Sequence, residues 1–143
     1  MLDQGVNAEF EIGDYDQVYS EIGADAKQSI AYDYIYFHTS IIKYFSRTLV
    51  DVEGEGPRLA VQLDEYLDQI ERIARSYPKS KLVINLLEYP PFRARGTLSR
   101  LDGGIAAVHD VNQKIINLKE SYSNILIHDL NYVSAKFGLS NFF

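Results

Sequence analysis

The chain contains no cysteine and no tryptophan, and only one methionine and four prolines. Without cysteine it has neither a disulfide framework nor a thiolate metal site, a composition that fits the cytoplasm. Long apolar runs are missing as well: the longest are of strand length, and the amino terminus has no signal-peptide pattern. The expectation is therefore a soluble chain with no membrane span. Positive charge is scarce, with 14 Lys and Arg against 20 Asp and Glu and a net charge of −6. No basic helix or arginine-rich arm stands out, which argues against a nucleic-acid partner.

What remains is ordinary for a folded domain. Its 143 residues are 46% hydrophobic and 24% charged, enough apolar surface for one core and too much for bulk disorder. Eleven tyrosines are the unusual feature. Their rings suit half-buried surfaces, so some are expected to face a partner or a neighbouring domain.

Periodicity divides the chain into alternating elements. Residues 7–12 alternate polar and apolar side chains like a strand near a sheet edge, stopped at Gly13-Asp14. Residues 16–22 fit a short helix, and residues 32–38, aromatic and β-branched, a second strand. Thr39 or Ser40 can cap a helix that buries Ile41, Ile42, Phe45 and Leu49. Pro57 suits the first turn of a long amphipathic helix over residues 58–77, which Pro78 ends. Residues 81–87 carry near-continuous aliphatics, the mark of a strand covered on both faces. Gly103-Gly104 opens a second long helix with Ile105, Val108, Ile115, Ile116 and Tyr122 on one side. Residues 124–129 make the last strand, and residues 131–137 a short helix closed by Gly138. Strands separated by helices of this length predict an α/β fold: three layers around a mostly parallel sheet of flavodoxin-like or SGNH-like kind, with right-handed crossovers. An opening edge strand and an apolar end at Asn141-Phe-Phe143 suggest one domain over residues 1–143, truncated at both ends and lacking its first strand.

Five stretches carry a family resemblance. They are Glu9-Phe-Glu-Ile-Gly-Asp-Tyr-Asp-Gln17, Tyr32-Asp-Tyr-Ile-Tyr-Phe-His-Thr-Ser40, Asn85-Leu-Leu-Glu-Tyr-Pro90, the helix around Val111-Asn112, and Ile127-His-Asp-Leu130 leading to Phe137-Gly-Leu-Ser-Asn-Phe142. Together they resemble the amino-terminal, SGNH-hydrolase-like domain of FkbH-like proteins. The resemblance implies a HAD-type catalytic domain beyond Phe143, associated with loading a glyceryl unit onto a carrier protein. This chain would then be the accessory part, and an acyl carrier protein or the HAD domain its partner. The SGNH serine after the first strand has no counterpart here. No Gly-x-Asn-Asp follows Tyr36-Phe37, and no late Asp-x-x-His is present, so hydrolysis by this chain is not expected.

The residues themselves point to the carboxyl ends of the strands, where open α/β sheets bind ligands. His38, Ser40, His128 and Asp129 are the residues from which a Ser/His/Asp device would have to be built. Ser40 lacks a Gly-x-Ser-x-Gly context and reads as a helix cap. His128 points to the opposite side of its strand from Asp129 and reads as a buried, hydrogen-bonded histidine. Asp129 is either a turn residue or a site residue. Glu88, Arg93 and Arg95 form a loop that either carries surface ion pairs or binds, through its arginines, an anionic ligand or an acidic carrier surface. Asn85 reads as a residue satisfied by backbone bonding near a sheet end, and Asn112, on or near the buried face of its helix, as structural. Asp14 is kept as a candidate because Asp14-Tyr15-Asp16 is similar to the Asp-x-Asp of HAD phosphotransferases, although the companion lysine and acidic cluster are not evident in order. The three histidines lack paired metal-ligand spacing, so no metal or other cofactor is expected. Besides the accessory role, two readings stay open: an SGNH-type esterase or acyltransferase with its serine and histidine elsewhere, and a small-molecule or protein binding module.

Overall fold

The computed structural model describes residues 9–10, 12, 32–41, 50–51, 55–89, 92–93 and 103–142. The chain divides into two compact units, residues 1–30 and 31–143. In the first, Glu9, Phe10 and Ile12 belong to no strand, which departs from the expected pairing over residues 7–12. Alternation alone does not make a strand, because its backbone groups also need a neighbouring strand to bond. Asp14 and the expected helix over residues 16–22 lie outside the described residues.

The second unit is an α/β structure. In chain order it contains β1 (Tyr34–Phe37), β2 (Val50–Asp51), α1 (Glu55–Ser76), β3 (Lys81–Asn85), β4 (Phe92–Arg93), α2 (Gly104–Ser121), β5 (Ile125–His128) and α3 (Leu130–Phe142). Three strands form a parallel sheet in the order β1, β3, β5, and β2 pairs with β4, also in parallel. The sequence expectation of a parallel α/β sheet therefore holds.

The register sets the two faces of the main sheet. Ile35, Leu82 and Ile125 stand abreast, as do Phe37, Ile84 and Ile127, all on one face because side chains alternate along a strand. On the other face Tyr36, Val83 and Leu126 form one row, with Asn85 beside His128 in the next. The first face is the core: Leu82, Ile84 and Ile125 are buried, and Phe37 stacks on Tyr66 of α1 at a ring-centroid distance of 5.7 Å.

Because the strand order runs in one direction, right-handed crossovers place α1 and α2 on the same side of the sheet. The two helices pack against each other there. Leu59, Leu63, Tyr66, Ile70 and Ile73 recur at steps of three and four on α1, giving one buried stripe. On α2 the stripe is Ile105, Val108, Val111, Asn112 and Ile115, whereas Ile116, expected on the buried side, lies at the margin and is 42% exposed. Lys114 Nζ donates to Asp64 Oδ1 at 2.9 Å across the outer seam of the pair. Near its carboxyl end Arg75 Nε donates to the Tyr122 hydroxyl at 2.9 Å, and its Nη2 donates to Glu71. The tyrosine bond first, then the glutamate, holds this guanidinium above its ordinary pKa.

Residues 81–87 were expected to be covered on both faces, but among the described residues both long helices lie on one face of the sheet. The opposite face keeps Tyr34, Tyr36 and Leu126 exposed. A second correction concerns Gly138, which does not close α3. The helix runs through it to Phe142, and Gly138 does not take the left-handed conformation that a terminating glycine uses. No described helix is long and apolar enough to cross a membrane.

Candidate functional site

At the carboxyl edge of the sheet the strand pairing ends, and backbone groups of the following loops lack ladder partners. Asparagine side chains replace those partners, since a primary amide offers the same acceptor and donor as a peptide group. Asn85, the last residue of β3 and wholly buried, accepts from Thr39 N at 3.0 Å. Its Nδ2 donates to Thr39 O at 2.8 Å and to Leu86 O at 3.1 Å. Asn112 of α2 brackets Leu87 in the same way, with 2.8 Å bonds to its N–H and its carbonyl. Asn131, in the first turn of α3, donates to Leu87 O at 2.9 Å and accepts from Tyr89 N at 3.2 Å.

Glu88 lies between these clamps. Its Oε1 accepts the Ser40 hydroxyl and, at 3.1 Å, the backbone N–H of Ile41. The loops after β1 and β3 are thereby tied twice, by Asn85 to Thr39 and by Glu88 to Ser40 and Ile41. Glu88 Oε2 is buried and has no hydrogen-bond partner among the described residues.

Of the residues expected at this site, the structure brings Ser40 and Glu88 together. The N–H of Ile41, which opens the segment Ser40 was expected to cap, is instead met by Glu88, while the Ser40 hydroxyl acts as donor to that carboxylate. His38 is exposed and stacks on Tyr36 at a centroid distance of 6.0 Å. Asp129 caps α3, its Oδ1 accepting Tyr132 N at 3.0 Å. His128 is half-buried, and its Nδ1 bonds the Tyr36 hydroxyl at 2.7 Å on the open face. Arg93 falls in β4, with its side chain outside the described residues, as is all of Arg95. No group of three metal-ligating side chains occurs among the described residues.

Two features of this edge were not legible beforehand. Asn131 was read only as the start of a helix, although an asparagine one residue into a helix that follows a strand is well placed to bond the neighbouring loop. The β2–β4 pair was missed because two-residue strands carry no periodicity.

The arrangement is that of an open parallel α/β protein with its loops gathered at the carboxyl ends of the strands. Among solved structures, the chain is similar to the crystal structure of the N-terminal part of the protein BF1531 from Bacteroides fragilis, described as containing a phosphatase domain complexed with Mg. The TM-score is 0.66 at 19% sequence identity, and the match covers 88% of this chain. The chain spans about a third of that structure's length, 34%. No family model matches the sequence, and no curated protein does. At this identity the likeness speaks for the fold.

Proposed function

We propose that this chain is an accessory, SGNH-like domain of an FkbH-like protein, holding a carrier protein or its acyl or glyceryl group for a HAD-type catalytic domain. One observation carries the non-catalytic part of this reading. Ser40, His38, His128 and Asp129, the makings of a triad, are each engaged elsewhere: with Glu88, with the Tyr36 ring, with the Tyr36 hydroxyl and with the Tyr132 N–H respectively. A nucleophilic serine needs a base of near-neutral pKa within reach, and a carboxylate is a poor base for a hydroxyl proton. The likeness to a longer structure that includes a phosphatase domain supports the accessory part of the reading. The Arg93 and Arg95 segment is the proposed contact for an acidic carrier surface.

The test adds this chain in trans to a HAD-type glyceryl-transferring domain and an acyl carrier protein, and follows loading of the carrier. A rise in kcat/KM that is weakened by the double change Arg93→Ala, Arg95→Ala and by added salt is the expected result. No effect on loading would overturn the reading. Hydrolysis of p-nitrophenyl acetate by the chain alone, abolished in Ser40→Ala, would replace it with an esterase.

A further inference from the structure

The polar side chains at the carboxyl edge differ in one respect. Asn85, Asn112 and Asn131 each use both ends of their amide on backbone groups. Glu88 uses one oxygen twice and leaves the other, Oε2, buried and without a partner among the described residues. A buried carboxylate oxygen in this position is costly, because it has lost water and gained no donor. It is also fixed: Ser40 and Ile41, on the loop after β1, hold the opposite oxygen and so set the plane of the group. A preset acceptor with spare capacity at the strand ends of an open α/β sheet has the properties of a ligand contact.

We propose that Glu88 Oε2 is the acceptor for a primary ammonium group, carried by a small amine or by a lysine side chain of a partner. A cation is favoured over a neutral donor because a buried carboxylate is best compensated by opposite charge together with a hydrogen bond. The net charge of −6 draws cations toward the chain. Glu88 as a residue is half-buried, although Oε2 itself is covered. The proposal does not rest on the accessory role above and stands or falls separately from it.

The experiment titrates the full chain with ethylammonium and with Nα-acetyl-lysine amide, following backbone amide shifts and the Glu88 carboxyl carbon by NMR. Tetramethylammonium, equally charged but without an N–H donor, serves as the control on the unmodified chain. The expected result is a saturable shift at Ser40, Ile41 and Glu88 with one or both primary amines and none with tetramethylammonium. It should vanish in Glu88→Gln, whose β3 and β5 amide signals report whether the fold is kept. A response to both amines identifies a free-amine site, and a response to the lysine derivative alone identifies a partner's lysine. Equal shifts with tetramethylammonium, no localised shift with any probe, or an unchanged shift in a folded Glu88→Gln would each overturn the proposal.

Discussion

Along β1, Ile35 and Phe37 turn toward the helices, while Tyr34 and Tyr36, one residue away, are 68% and 54% exposed. The same contrast continues across the sheet, with Leu82 and Ile84 beside Val83 on β3 and Ile125 beside Leu126 on β5. One face has been dried by two packed helices. The other carries large side chains too, and among the described residues leaves Tyr34, Tyr36 and Leu126 exposed while Asn85 at its carboxyl edge is buried. Composition does not separate the two, since both are rich in aliphatic and aromatic residues. What separates them is the direction of the strand order, which sends both crossovers to one side. Side-chain type therefore sets where a strand forms, and connection topology sets which of its faces becomes core.

The contrast can be broken by substitution. The largest effect is expected at Ile84, central in the sheet and fully buried, where Ile84→Ala should cost about 2–5 kcal/mol in urea unfolding. Should Tyr36→Ala cost as much, the open face would be covered in solution and the distinction would fail. Next comes Asn112→Ala, which leaves the buried Leu87 N–H without its acceptor and the Leu87 carbonyl with Asn131 as its remaining donor, and should cost about 1–3 kcal/mol. Hydrogen exchange at the Leu87 and Tyr89 amides would show that loss locally. Ser40→Ala removes one donor from Glu88 and should cost about 1 kcal/mol, read from the same unfolding curves. The smallest change is expected on the outer helix surface. There Lys114→Ala, one half of an exposed ion pair, should alter stability by no more than about 0.5 kcal/mol. A larger loss would mean that the helix seam is held by charge as well as by its apolar stripe.

Much of this architecture was legible in the sequence for identifiable reasons. The helix stripe from Leu59 to Ile73 and the aliphatic run from Leu82 to Leu87 are long enough for periodicity to decide, and both elements formed where expected. Asn85 was read as backbone-bonding and Asn112 only as structural, and each brackets a loop. The placement of α1 and α2 on one face was not legible, because hydropathy gives no strand order. Gly138 misled for a related reason: glycine ends a helix when its backbone turns left-handed, and the residue type alone does not say whether it does. The Ser40 and Glu88 pairing joins residues 48 positions apart, beyond the reach of any local pattern.

The carbonyl of Leu87 receives two donors, one from Asn112 in α2 and one from Asn131 in α3. A single peptide oxygen thus fastens the loop to a helix packed on the core and to a helix that begins at the far strand. A shift of the loop by whatever contacts Glu88 would pull on both fastenings together. Through this one atom, an event at the sheet's rim would be felt simultaneously by the settled interior and by the last helix, which carries the exposed Tyr132 and Phe137.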